Sequence, residues 1–230
     1  ARIAALLSVR LSLNIQAPAE EPVQLINVDA ILPGSSPQIS KTYLLITAHY
    51  DHTGVLPRGE GDRINNGAND DASGVATVLA LAEAFSKAPQ RPRRSIVFMT
   101  FFGEEKGLFG SRYYAAHPLF PLAQTVADLN FEHMGRTDDN EGPRAGKITS
   151  TGFDYTTLGQ TLTEAGALTG IEAWKHERNS DGFFGSSDNQ PLADKGIPAI
   201  TIAVAWIFPD YHRPGDEWQK LDYPNMEKAV

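Results

Sequence analysis

The chain has 230 residues, 41% hydrophobic and 21% charged, a composition typical of one globular domain that excludes a disordered, collagen-like or coiled-coil protein. Its formal net charge is −8 and it has no basic stripe, so it would repel a phosphate backbone and we expect no nucleic-acid partner. The absence of cysteine excludes disulfides, thiolate metal ligands and a thiol nucleophile.

Buried strands and amphipathic helices alternate along the chain. The predicted strands are Ser8–Ile15, Val23–Leu32, Tyr43–Ala48, Ser95–Phe102, Thr125–Phe131 and Ile197–Ala205. The predicted helices are Ala72–Lys87, Leu108–Ala116, Thr156–Ala167, Asn189–Lys195 and Pro224–Val230, and residues 53–67 and 137–146 are predicted loops. The buried face predicted for the first helix consists of Val75, Val78, Leu79, Ala82 and Phe85. This alternation predicts an α/β fold with a largely parallel central sheet.

Acidic residues and histidines gather near the ends of the predicted strands. In an open α/β sheet, ligands bind outside the carboxyl ends of the strands, so these side chains decide the function. They form five blocks: His49-Tyr50-Asp51-His52, residues 67–74 with Asp70 and Asp71, Glu104-Glu105, Glu132-His133, and residues 211–216 with Tyr211, His212 and Asp216.

Several carboxylates at one edge of a sheet repel one another unless a cation neutralises them. Lys106 and Arg112 are the only Lys or Arg residues between Arg94 and Arg136, too few for that purpose. Imidazole and carboxylate donors without thiolate suit Zn²⁺ and, less firmly, Mn²⁺, Co²⁺ or Mg²⁺. Five candidate ligands allow a two-metal site in which one carboxylate bridges both ions.

The blocks resemble, in kind and order, the motifs of the co-catalytic zinc aminopeptidase family. The matching motifs are His49-x-Asp51, Gly-Ala-Asn-Asp70-Asp-Ala-Ser-Gly, Glu104-Glu105, Asn-Phe-Glu132 and His212-x-Pro-x-Asp216. The family includes bacterial leucyl aminopeptidases, aminopeptidase Y and, more distantly, glutamate carboxypeptidase II. The resemblance implies a three-layer α/β/α fold with a mixed, mostly parallel sheet. It also implies two Zn²⁺ per chain and a peptide substrate that loses its N-terminal residue.

The resemblance also assigns roles to individual residues. The implied metal ligands are His49 and Glu132 on one zinc, Glu105 and His212 on the other, and Asp70 as a bridge between both. Asp is commoner than Glu at the position of Glu132, which leaves the partition of ligands between the ions open. The other implied roles are Glu104 as general base, Asp51 as acceptor of the second ring N–H of His49, and Tyr211 as hydrogen-bond donor to the oxyanion.

Neighbouring residues receive simpler predictions. The resemblance implies a cis peptide bond between Asp70 and Asp71. His52 is predicted to be solvated or structural, and His133 to face away from the site because side chains alternate along a strand. Four aromatic residues are expected to line a pocket for an apolar side chain: Phe183, Phe184, Trp206 and Phe208.

Two other functions stay open at this point. A glutaminyl cyclase of related fold would use a single catalytic zinc, and a catalytically inactive relative would act as a binding module. The motifs do not separate an aminopeptidase from a carboxypeptidase or dipeptidase, and they leave the oligomeric state unknown.

The chain is predicted to be one catalytic domain with a short upstream piece. Residues 1–22 resemble the end of a protease-associated insert domain, and residues 23–230 are expected to form the peptidase domain. We therefore expect a longer precursor. Because members of the family are mostly exported, the resemblance also implies a location in the periplasm or outside the cell. The longest apolar run, residues 199–208, is well short of the ~20 residues of a membrane-spanning helix, so no span is predicted.

Overall fold

The computed structural model describes residues 23–230. The strand predicted over Ser8–Ile15 and the domain remnant predicted at residues 1–22 lie outside the described residues. Within the described range the strands are β1 Val28–Leu32, β2 Tyr43–His49, β3 Gly54–Val55, β4 Ile64–Asn65, β5 Ser95–Phe101, β6 Thr125–Phe131, β7 Asp138–Asp139, β8 Gly142–Pro143, β9 Lys147–Ser150, β10 Glu172–Ala173 and β11 Ala199–Ala203. The helices are α1 Ser73–Lys87, α2 Phe109–Ala116, α3 Leu158–Thr169, α4 Asn179–Gly182, α5 Asn189–Ala193 and α6 Tyr223–Ala229.

Across residues 23–230, a seven-stranded central sheet has the order β1-β5-β2-β6-β11-β9-β10. Strands β5, β2, β6 and β11 run parallel, whereas β1 pairs antiparallel with β5 and β9 pairs antiparallel with β11. The parallel strands read as near-continuous apolar runs because both faces of the sheet are covered. The predicted α/β fold with a mixed, mostly parallel sheet is confirmed.

Two hydrophobic cores lie on opposite faces of the sheet, and alternation along the strands divides the side chains between them. On β2, Ile46 and Ala48 belong to the core that α1, α3 and α6 cover, whereas Leu45 belongs to the core beneath α2 and α5. On β5, Phe98 and Met99 divide in the same way. The chain therefore folds as three layers, helices on sheet on helices.

The buried face of α1 differs from the prediction at one position. Leu79 is 64% exposed, and Leu81 packs against the core in its place. The two leucines flank the buried stripe of the helix on opposite sides, so a small rotation of the helix decides which of them is covered. The other predicted residues of this face pack against the core: Val75, Val78, Ala82 and Phe85.

Short strands account for most of the remaining differences. Strands β9 and β10 extend the sheet where no strand was predicted, and the hairpins β3–β4 and β7–β8 lie inside the two predicted loops. Segments of two to four residues are too short to show an alternating pattern. The strand predicted over Val23–Leu32 begins only at Val28.

The parallel strands bring the predicted motifs to one edge of the sheet. His49 is the last residue of β2, Glu104 and Glu105 follow β5, and Glu132 follows β6. In the part of the chain that the structure covers, no helix combines the length and apolarity needed to cross a bilayer.

Candidate metal centre

The predicted metal ligands converge into two clusters that share one carboxylate. His49, Asp70 and Glu132 each offer a donor atom to the first cluster, and these atoms lie within 4.8 Å of one another. Asp70, Glu105 and His212 belong to the second cluster, within the same limit. Asp70 therefore lies between the two clusters, at the place that the sequence predicts for a bridge.

The first cluster is built around His49, which is fully buried. Its Nε2 lies 3.3 Å from Asp70 Oδ1 and 3.9 Å from Glu132 Oε1. Its Nδ1 lies 3.0 Å from the backbone carbonyl oxygen of Asp51. Because a carbonyl only accepts hydrogen bonds, Nδ1 carries the proton, and the lone pair of Nε2 faces the two carboxylates.

The carboxylate of Asp51 has a different task from the one predicted. Its Oδ1 is 3.7 Å from His49 Nδ1, too far for a hydrogen bond, and the backbone carbonyl of the same residue accepts that N–H instead. Oδ1 accepts the backbone N–H groups of Gly103 at 2.8 Å and Glu104 at 3.1 Å. Asp51 therefore fixes the turn that carries Glu104 and Glu105.

The second cluster depends on a residue from the loop after β11. His212 has φ 54°, a left-handed conformation that turns its ring toward the sheet. Its Nε2 lies 3.0 Å from Asp70 Oδ2 and 3.2 Å from Glu105 Oε1. Tyr211 stacks on the ring of His212, with 3.9 Å between ring centroids. The loop thus places Tyr211 and His212 together at the second cluster.

Two features fix the backbone around Asp70: the peptide bond that follows it and the hydrogen bonds that the N–H groups of residues 69 and 70 donate. The peptide bond between Asp70 and Asp71 is cis, as the resemblance implied. The buried carboxylate of Asp216 accepts the N–H groups of Asn69 at 3.0 Å and Asp70 at 3.1 Å. Because Asp216 follows His212 in the same loop, this contact links the bridging carboxylate to a ligand of the second cluster.

Hydrogen bonds and close packing hold the turn at Asp70 and Asp71 between the start of α1 and the ends of the strands. Asp71 accepts hydrogen bonds from the N–H groups of His49 at 3.3 Å and Gly74 at 3.0 Å. A Cβ on Gly74 would lie 2.2 Å from the carbonyl oxygen of Phe131, so only glycine lets the helix approach the end of β6 this closely. Asp71 acts as a structural anchor between β2 and α1.

Two histidines join the centre although sequence reasoning placed them outside it. His52 Nδ1 lies 2.9 Å from Glu105 Oε1, and His133 Nε2 lies 3.6 Å from Asp70 Oδ1. The prediction that His133 faces away is wrong, because β6 ends at Phe131 and His133 has φ 55°, so strand alternation no longer applies. The signal that could have found His52 is its place directly after the His49-x-Asp51 motif.

Electrostatics keep two ligand carboxylates ionised. Burial raises the pKa of Asp70, but the rings of His133 and His212 outweigh burial and hold that pKa well below 3.8. Burial also raises the pKa of Glu105, but the neighbouring ring of His212 outweighs burial and brings that pKa down to about 2. Both groups are therefore anionic donors over the whole physiological range.

The pKa of Glu104 is shifted upward, in contrast to the pKa values of Asp70 and Glu105. Burial raises the pKa of its carboxyl group to about 10, and repulsion from the nearby Glu132 carboxylate adds to the effect. Burial, followed by the surrounding carboxylates, also raises the pKa of the Tyr211 phenol, which stays neutral and able to donate a hydrogen bond. Perturbed acids of this kind beside a cavity are typical of active sites.

A cavity of about 610 Å³ opens onto both clusters. Glu104, Glu105, Glu132 and Tyr211 line it on one side. The apolar lining is Leu108, Phe183, Trp206 and Ile207. Two of the four predicted aromatic residues are thus in place. Phe184 instead packs against Tyr155, and Phe208 is buried against His133, so neither lines this cavity.

The donor set fits divalent cations. His49 Nε2, Asp70 Oδ2, Glu105 Oε1 and Glu132 Oε2 are buried atoms that have no hydrogen-bond partner among the described residues. Unpaired polar atoms of this kind are costly in a protein interior, and a bound cation satisfies them. Mixed imidazole and carboxylate donors without thiolate match zinc.

Comparisons with known proteins agree with this geometry. Residues 27–230 match Peptidase family M28. The chain belongs to this family. The resemblance that the motifs carried is therefore confirmed.

Individual proteins match this M28 chain over most of its length, in sequence or in structure. A probable zinc metalloprotease from Pyricularia oryzae is 30% identical over 206 residues, covering 87% of this chain and 39% of that protein. An aminopeptidase from Aneurinibacillus sp. strain AM-1 superposes with a TM-score of 0.66 at 26% identity, over 89% of this chain and 45% of that one. Porphyromonas gingivalis glutaminyl cyclase shares the fold, with a TM-score of 0.61 at 16% identity, over 88% of this chain and 73% of that one. The M28 chain spans about two fifths of the length of two such metalloproteases and about a tenth of the length of related vacuolar membrane proteases.

Proposed function

We propose that this M28 chain is a metallo-exopeptidase that binds two Zn²⁺ and removes N-terminal residues from peptides. The observation that carries the proposal is the position of Asp70, which belongs to two ligand clusters beside a cavity lined by Glu104. His49 and Glu132 would hold one ion, and Glu105 and His212 the other.

Divalent cations in such clusters lower the pKa of water and polarise a carbonyl group. In this setting Glu104 is the general base: it takes the proton of the attacking water and later gives it to the leaving amine. Asp51 keeps Glu104 in position through the two backbone N–H groups that it accepts. Without bound cations the pKa of Glu104 is raised to about 10, and cations held in the two clusters would lower it toward the neutral range in which a general base works best.

The remaining contacts of the substrate follow from the cavity lining. The neutral phenol of Tyr211 can donate a hydrogen bond to the developing oxyanion. The acidic lining of the cavity suits a positively charged α-amine, which favours cleavage at the N-terminus over cleavage inside a chain. Phe183 and Trp206 offer an apolar wall, so we propose a preference for apolar N-terminal residues.

Two features support this proposal over its alternatives. A cyclase with a single zinc needs only one cluster, whereas both clusters are complete in this chain. A catalytically inactive relative is expected to lack a ligand or the base, whereas all six residues of that set are present: His49, Asp70, Glu104, Glu105, Glu132 and His212.

The test is a panel of aminoacyl p-nitroanilides, with N-acetyl-leucyl p-nitroanilide and a C-terminally free hippuryl peptide as substrates that an aminopeptidase rejects. We expect cleavage of the leucyl compound only with a free amine. The variant Glu104→Gln should lose about 10²-fold or more in kcat while keeping its zinc content. Glu83→Gln, an exposed change on α1, is the matched control and should be unaffected.

Two results would contradict the proposal. Full activity of Glu104→Gln would remove this residue from the chemistry. Cleavage of the acetylated compound would contradict the need for a free amine, and cleavage of the hippuryl peptide alone would indicate a carboxypeptidase.

Export of the protein stays a prediction. Recovery of the native protein from the periplasm or the medium on cell fractionation would support it.

A further inference from the structure

His52 lies against the second cluster, and the proposed function gives it no role. Its side chain is only 10% exposed. Its Nδ1 lies 2.9 Å from Glu105 Oε1 and 3.7 Å from Asp70 Oδ2. These are the same two carboxylate oxygens that Nε2 of His212 approaches, at 3.2 Å and 3.0 Å. Two imidazole nitrogens therefore converge on one pair of oxygens.

The contact between His52 and Glu105 is not a hydrogen bond despite its length. Both ring nitrogens of His52, together with Glu105 Oε1, lack a hydrogen-bond partner among the described residues. A buried imidazole with both nitrogens unpaired is costly, and a cation bound at Nδ1, the nitrogen that faces the two carboxylates, removes that cost for one of them. The ring is thus placed as a metal ligand is placed.

The four donors have the spacing of a single coordination sphere. One atom each from His52, Asp70, Glu105 and His212 lies within 4.8 Å of the others. Tetrahedral ligands about 2.1 Å from one zinc ion lie ~3.4 Å apart. The four distances between these imidazole nitrogens and carboxylate oxygens, 2.9 to 3.7 Å, lie on both sides of that value.

Gly67 makes room for this arrangement. It has φ 65°, which favours glycine, and a Cβ there would lie 2.7 Å from Cγ of His52. A larger residue at this position would push the imidazole away from Glu105. The Gly67 turn and the His52 ring therefore fit together as one unit beside the cluster.

From these contacts we infer that His52 is a fourth protein ligand of the cation held by Asp70, Glu105 and His212. The inference rests on the proposed function, because it concerns the second of its two cation sites. Two imidazoles and two carboxylates fill the tetrahedral set that zinc prefers, whereas the three donors of the first cluster leave one position open. With one more protein ligand, the second site would retain its ion more tightly than the first.

The direct test counts the histidines bound to metal. The chain has six histidines, and in protein labelled with ¹⁵N-histidine and loaded with ¹¹³Cd²⁺ three of them should show cadmium–nitrogen coupling. These are His49, His212 and His52. The variant His52→Ala should lose one coupled signal, and His117→Ala, a change at an exposed histidine, should lose none.

The outcomes separate this inference from the proposed function. Coupling at His49 and His212 without coupling at His52 would overturn the inference and leave the two-cation proposal intact. Absence of coupling at every histidine would overturn both. The wild-type spectrum decides the matter even if the variant fails to fold.

Zinc affinity gives a second, independent measurement. In competition with a chromogenic chelator, His52→Ala should bind one of its two zinc ions about 10-fold or more weakly, while the affinity for the other stays within twofold. Equal affinities of His52→Ala and His117→Ala for both ions would contradict the inference.

Discussion

Replacing Asp216 with alanine should destabilise the turn that carries Asp70. Asp216 is completely buried, and its carboxylate accepts the backbone N–H groups of Asn69 at 3.0 Å and Asp70 at 3.1 Å. Alanine offers no acceptor, so two buried N–H groups lose their partner. Each unsatisfied group costs about 1–3 kcal/mol, which gives a loss of roughly 2–6 kcal/mol in the free energy of unfolding.

The assay is urea unfolding of chelator-treated protein at pH 7, followed by far-UV circular dichroism, with the slope against urea checked for constancy. Asp216→Asn keeps one acceptor oxygen and should lose less than Asp216→Ala. Asp154→Ala removes an exposed ion pair with Lys175 and should change the free energy by less than about 1 kcal/mol. A free energy of unfolding of Asp216→Ala within about 1 kcal/mol of the wild-type value would contradict this prediction.

Two further predictions concern Asp188 and Tyr211. Burial raises the pKa of Asp188 from 3.8 in the unfolded chain to about 7 in the folded one, so its contribution to stability is present below pH 4 and is lost as pH rises to 7. In chelator-treated protein, Asp188→Asn should therefore gain up to about 4 kcal/mol over the wild type between pH 4 and pH 7 in urea unfolding, and a constant difference would contradict this. Tyr211→Phe should lower kcat on leucyl p-nitroanilide by about 10²-fold with KM nearly unchanged, and an equal change in KM alone would argue for a binding role.

The sequence predicted the central strands well because their burial is extreme. Tyr43–His49 and Ser95–Phe101 lie between parallel neighbours with helices on both faces, and such strands read as unbroken apolar runs. Lys147–Ser150 is only four residues long and lies near the edge of the sheet, so its pattern could not be told from a loop. Prediction thus found the parallel centre of the sheet and the edge strand β1, and it missed the short strands β9 and β10 at the opposite edge.

The donor residues were predictable for a similar reason, and their fine geometry was not. Residues placed after parallel strands must meet at one edge, whatever the loops between them do. Whether a side chain turns into the site depends on single backbone angles, such as the positive φ of His133. The exchange of roles at Asp51, where the carbonyl rather than the carboxylate binds His49, also has no signature in the residue order.

The central claim is that Asp70 bridges two cations, and anomalous diffraction at the zinc edge tests it most directly. Crystals grown with excess Zn²⁺ should show two anomalous peaks per chain, about 3.5–4 Å apart, one on each side of Asp70. A single peak, or two peaks of which only one contacts Asp70, would contradict the account.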